Sequence, residues 1–120
     1  MSASSRACVV VAGLALAGAA LAHAMLDRAS PPVGSRIATS PARIQLWFTE
    51  ALEPAFSSVK VLDGGGRQVD RGDAAFDASA PGHVSVSVPP LAPGRYRVIW
   101  RAVSVDTHVT SGDYAFDVAP

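Results

Sequence analysis

Arg95-Tyr96-Arg97-Val98-Ile99-Trp100-Arg101-Ala102-Val103 is the longest stretch of this chain that reads as a β-strand, and its β-branched and aromatic residues suit a pleated, half-buried surface. Shorter stretches of the same kind flank it. Arg43-Ile44-Gln45-Leu46-Trp47-Phe48-Thr49 alternates apolar and polar residues for most of its length, as a half-buried strand does. Ser58-Val59-Lys60-Val61-Leu62 ends at Asp63-Gly64-Gly65-Gly66. That glycine run accommodates positive φ and predicts a hairpin into Arg67-Gln68-Val69. Val84, Val86 and Val88 alternate with serines before Pro89-Pro90. A short extended segment at 25–29 stops at Ser30-Pro31-Pro32, and Tyr114-Ala115-Phe116-Asp117-Val118 is the last strand. From residue 23 onward there is no helical repeat of useful length. Short strands at turn-limited spacing predict an all-β protein, an antiparallel sandwich of about seven strands. No internal repeat and no long linker divides it.

The first 22 residues read as an address and not as part of the fold. Arg6 gives a short positive region, residues 9–22 form an apolar run, and small residues close it, the pattern of a secretory signal too short to span a bilayer comfortably. Two cleavage signatures overlap. Ala20-Leu21-Ala22 would release His23, and Ala22-His23-Ala24 would release Met25. The local pattern does not separate them. Cys8 lies ahead of the apolar run, so no lipid anchor is expected.

Cleavage before His23 removes 22 of the 120 residues and leaves 98, one small domain. The sequence has one cysteine, Cys8, so this domain carries neither a disulfide nor a thiolate ligand and depends on its core. Losing Arg6 leaves nine basic against ten acidic side chains. Without a basic stripe, nucleic acid is excluded as a natural partner.

Asp106 and His108 follow the longest strand in Ser104-Val105-Asp106-Thr107-His108. Residues two apart on extended backbone point to one side, so the pair can face a single ion. An oxygen and an imidazole nitrogen, with no sulfur, favour Cu(II), then Ni(II) or Zn(II). Taken alone, the pair also fits a turn-capping Asp beside a solvated His. His23 changes the balance if the chain starts there. Its amine and imidazole Nδ1 can close a six-membered chelate ring, which reduces the ordering cost of binding. An amine with a free pKa near ~8 and an imidazole near ~6.5 must lose protons to bind, so affinity should fall below about pH 6.

The stretch from Tyr96 through Trp100-Arg101-Ala102-Val103-Ser104-Val105-Asp106-Thr107-His108, with Gly112 and Phe116, resembles the signature of the CopC family of periplasmic copper-binding proteins. His23-Ala24-Met25-Leu26 with Ser30-Pro31-Pro32-Val33-Gly34-Ser35 resembles the family's mature start, and Ile44-Gln45-Leu46-Trp47-Phe48-Thr49-Glu50 its next strand. The likeness spans essentially all of 23–120; its specific part is Trp-Arg-x-x-Ser-x-Asp-x-His. The resemblance implies a seven-stranded Greek-key sandwich, Ig-like and cupredoxin-like, a signal over 1–22 and a domain over 23–120. It implies one Cu(II) ion held by His23, Asp106 and His108, and it selects cleavage before His23. Glu50 falls where some members carry an acidic residue near copper. It is a candidate outer ligand, with a solvated strand-end carboxylate as the alternative. Some members also bind Cu(I) through a Met-rich loop. This chain has only Met1 and Met25, and a lone thioether makes no Cu(I) cage. A Cu(II)-only member is expected, with Met25 packed at the sandwich edge.

His83, after Pro81-Gly82, lies outside the motif and reads as a surface turn histidine. Asp70, Asp73 and Asp77 lack calcium-loop spacing and read as solvated carboxylates. Trp47, Phe48, Tyr96, Trp100, Tyr114 and Phe116 mostly fall on alternating strand positions and read as core, although adjacent Trp47 and Phe48 must face opposite ways. Three functions fit these residues. The first is a periplasmic, non-enzymatic carrier or buffer of Cu(II), one that sequesters copper or hands it to an inner-membrane transporter of the CopD type. The second is a histidine-brace copper oxidase, which would need an open coordination position and a broad substrate face that this short chain lacks. The third is an Ig-like interaction module without metal.

Overall fold

Inward side chains at every second position of the longer strands build two sheets against one another. The computed structural model describes residues 24–120. Their eight strands are β1 (Leu26–Ser30), β2 (Arg36–Ile37), β3 (Arg43–Phe48), β4 (Ser58–Leu62), β5 (Ala75–Phe76), β6 (His83–Ser87), β7 (Gly94–Val103) and β8 (Val109–Val118). One sheet has the order β1-β3-β6-β5 and the other β2-β8-β7-β4. Neighbours pair antiparallel except β2 and β8, which are parallel. The domain is an all-β sandwich. It has eight strands where about seven were expected: the two-residue edge pieces β2 and β5, too short to show a period, are additional, and the expected return at 67–69 is an isolated bridge.

Ile44, Leu46 and Phe48 of β3, Val84 and Val86 of β6, Tyr96 and Val98 of β7, and Phe116 and Val118 of β8 are buried between the sheets. Full burial of each such aliphatic or aromatic side chain contributes about 1.5–3 kcal/mol. The Tyr96 hydroxyl donates to the Ala92 carbonyl at 2.6 Å, a tyrosine bonded to backbone a few residues upstream as in Ig-like sandwiches. Tyr114 donates to the Pro31 carbonyl at 2.9 Å and ties the end of β1 to the opposite sheet.

Two expectations shift. β8 begins at Val109, five residues before the Tyr114 read from sequence, because Thr110-Ser111-Gly112-Asp113 pairs along β7 despite having no apolar rhythm. After β4 the chain turns back as expected, with Gly66 at φ 83°. The return is a single bridge between Leu62 and Gln68 and not a strand. Trp47 and Phe48 do face opposite ways. Phe48 is buried, whereas Trp47 lies on the outer face under the Arg28 guanidinium, 4.0 Å from the ring centroid.

Candidate metal centre

The β7–β8 connection is the five-residue loop 104–108, and Ser104 organises it. Ser104 is 1% exposed. Its amide donates to the His108 carbonyl at 2.9 Å, and its carbonyl accepts from the Thr107 amide at 2.8 Å. Its hydroxyl donates to Asp106 Oδ1 and lies 3.3 Å from the His108 amide. Closing so short a turn forces Thr107 to φ 73°, the one non-glycine positive φ among the described residues. For a β-branched residue that conformation costs on the order of 1–3 kcal/mol, and it recurs where a site dictates the backbone.

Asp106 and His108 do meet, but through this turn and not through the extended backbone expected from their spacing. Asp106 Oδ2 lies 3.2 Å from His108 Nδ1, with both side chains about half exposed. The Ser104 hydroxyl, then His108, hold the Asp106 carboxyl below its ordinary range. Asp106 is therefore an anion at neutral pH, fit to offer oxygen to a cation.

Two further segments reach this end of the sandwich. Thr110 Oγ1 donates to the Ala24 carbonyl at 2.7 Å, and Ala24 is fully buried. The chain entering β1 is thus fastened two residues past His108. Met25 exchanges two bonds with Thr49, from its amide to Thr49 Oγ1 at 2.9 Å and from the Thr49 amide to its carbonyl at 2.8 Å. Glu50 follows, exposed. Beyond it the Val105 amide donates to the Ala51 carbonyl at 3.1 Å, and Leu52 bridges to Ser104. The segment carrying Glu50 therefore lies between the start of β1 and the Asp–His loop. Among the described residues no three His, Cys, Asp or Glu side chains converge as a metal group. Asp106 and His108 are a pair, and a complete centre needs donors from elsewhere. His23 and the signature Ala20-Leu21-Ala22 lie outside the described residues, as does all of the second signature except Ala24.

The remaining candidates sort clearly. His83 is not a surface turn residue. Its side chain is 16% exposed, stacked on Trp47 at 4.9 Å between centroids, with Nε2 3.0 Å from Gln45 Oε1. It opens β6 opposite Trp47, and that pairing covers it. Met25 is not packed at the edge either. Thr49 holds its backbone, yet the residue stays 57% exposed. Asp70, Asp73 and Asp77 accept from Val61, Ser87 and Ser79 and serve as loop acceptors. The roles of Ser104, Thr110 and Thr49 were not legible in the sequence. Ser104 stands inside the specific motif, but nothing in its spacing announces the bonds it makes.

Fold and loop together define a β-sandwich that presents a nitrogen–oxygen donor pair at one end, beside the start of its first strand. Residues 26–119 match the CopC domain, and the chain belongs to the CopC family. It is 38% identical over 112 residues to copper resistance protein C of Escherichia coli, covering 88% of each. Its structure is similar to that of CopC from Methylosinus trichosporium OB3b, with TM-score 0.77, 38% identity, and 82% and 95% of the two chains covered. It is also similar to PcoC, a methionine-rich copper resistance protein from Escherichia coli, with TM-score 0.70, 36% identity, and 81% and 99% covered. A copper transport protein of Bacillus subtilis, CutJ, matches at 31% identity over 81% of this chain but 18% of its own length. Membership in this family implies copper binding, and the relatives' names describe copper resistance and transport rather than catalysis.

Proposed function

We propose that this protein is a periplasmic Cu(II) carrier whose chain, cut before His23, holds one cupric ion. The ligands are the His23 amine and Nδ1, His108 and Asp106, with Glu50 as an outer ligand. The observation that carries the proposal is the bond from Thr110 to Ala24. Residue 24 is fixed beside the Asp–His loop, and residue 23 is joined to it by one peptide bond, a Cα step of about 3.8 Å. The donor chemistry agrees. Two or three nitrogens and a carboxylate favour Cu(II). The relative described as methionine-rich contrasts with this chain's two methionines, which argues against a second, thioether site for Cu(I).

Copper bound there is cargo. An ion gripped by a terminal chelate and an exposed loop is reachable from outside, as a buffer or donor requires. An inner-membrane transporter of the CopD type is the proposed recipient. That a long copper transport protein contains a segment like this chain supports such a pairing. The electron paramagnetic resonance spectrum of the processed protein with one equivalent of Cu(II) tests the assignment. Hyperfine splitting from two or three nitrogens is expected, and a spectrum with oxygen ligands alone would refute the centre.

A further inference from the structure

We infer that Ser104 is the positioning residue of this centre, setting the Asp106 carboxylate beside the His108 ring before metal arrives. The inference rests on the copper reading above. Asp106 is solvent-facing, and its side chain would otherwise sample several rotamers. Two contacts fix it. Ser104 engages Oδ1 from the buried side, and Oδ2 is then the oxygen turned toward His108 Nδ1 at 3.2 Å. The carboxylate plane is thereby set by a residue that is itself buried, 1% exposed at the end of the longest strand pairing.

The same hydroxyl also lies 3.3 Å from the His108 amide. One oxygen atom thus couples the two proposed ligands. The backbone bonds between Ser104 and His108 and between Thr107 and Ser104 do not involve the side chain. Alanine at this position keeps the turn's main-chain closure and removes the coupling alone. The bridge of Ser104 to Leu52 is likewise main-chain and survives. Ordering a donor in advance reduces what binding must spend on ordering it, and outer groups of this kind typically set metal affinity by about 10–100-fold. Asp106 is accordingly expected to offer copper Oδ2, with Oδ1 retained by Ser104.

The test uses the chain beginning at His23, with Ser104→Ala, Asp106→Ala and the double variant. Cu(II) affinity is measured by competition, the copper environment by electron paramagnetic resonance, and the metal-free loop by amide exchange at Thr107 and His108. Ser104→Ala is expected to weaken Cu(II) binding about 10–100-fold, to change the spectral parameters and to speed exchange in the loop. In the Asp106→Ala background the same substitution should change affinity by less than about threefold, because only the hydroxyl's contacts to the His108 main chain, 3.3 Å at the amide, are then left to lose, and the loop's main-chain bonds still hold that residue. An unchanged affinity and spectrum in Ser104→Ala would overturn the role, as would effects that simply multiply in the double variant. If the unaltered chain takes up no Cu(II), the copper reading fails and this inference with it. Tight binding by the unaltered chain with an indifferent Ser104→Ala sinks the positioning role alone.

Discussion

Asp106 and His108 occupy a turn that could have been built more cheaply. Glycine would take the φ of 73° at 107 without strain, and yet a threonine stands there. At this scale the fate of single side chains separates ligand from scaffold. His108→Ala removes a nitrogen donor and should weaken Cu(II) binding by at least about 100-fold, the upper end of what outer groups cost. Competition titration checks it. His83→Ala makes the opposite prediction. It removes the stack on Trp47 and the contact to Gln45, so it should lower stability by about 0.5–1.5 kcal/mol in urea denaturation while leaving copper affinity unchanged. A loss of affinity there would bring His83 into the centre. The Asp–x–His pair was legible as a motif, but extended-backbone spacing does not join the two: residues 105 and 106 lie in a turn and Thr107 sits at φ 73°, and it is this turn that brings them together. The burial of His83 was not legible, because it depends on its partner Trp47 across the β3–β6 ladder, 36 residues earlier in the chain.

The β7–β8 hairpin is the element that presents Asp106 and His108 of the proposed site. Ten paired positions hold its arms in register, so the loop between them has few conformations left. Within it, Trp100 faces Gly112. A Cβ at 112 would approach the Trp100 ring to 2.4 Å. Trp100 is held in turn against Phe48 and Tyr114, so it cannot yield freely. Gly112→Ala should therefore destabilise the domain by about 1–3 kcal/mol, the cost of overpacking, seen as a lower denaturation midpoint. A neutral result would mean the ring swings aside. β3 and β4 were readable because buried residues alternate with less buried ones, and β6 because valines alternate with serines, although Ser85 is itself buried. The first half of β8 lacks that signal. Its place is set by pairing with β7, a long-range property that local pattern does not carry.

Across the whole molecule, several carboxylates are tied to the fold as anions. Asp73 is lowered first by Ser87, Asp77 by Ser79, Asp106 by Ser104 and Asp117 by Arg95. Because their folded pKa values lie below the unfolded ones, the stability they contribute is fully present above about pH 5, beyond the ordinary carboxyl value near ~4, and is lost as pH falls through the lowered values. Unfolding free energy from urea titrations should be flat in this respect from pH 7 to about 5 and should decline below about 4. A profile that stays level down to pH 2 would contradict these assignments. If the proposed His23 terminus holds the ion, copper affinity should weaken earlier, below about pH 6, as protons compete for its nitrogens. The sandwich was legible from strand length and turn chemistry. The meeting of the chain start with the Asp–His loop was implied by the family resemblance and not by any local pattern, because only the folded chain closes the 86 residues that separate Ala24 from Thr110.

That meeting makes the identity of the first residue decisive. The most direct measurement compares Cu(II) affinity of the chain beginning at His23 with that of the same chain carrying one methionine ahead of it, which turns the free amine into an amide. The processed form should bind at least about 100-fold tighter, matching the loss expected for His108→Ala. Equal affinities would mean that the amino terminus takes no part in gripping the ion, and the proposed centre would be wrong.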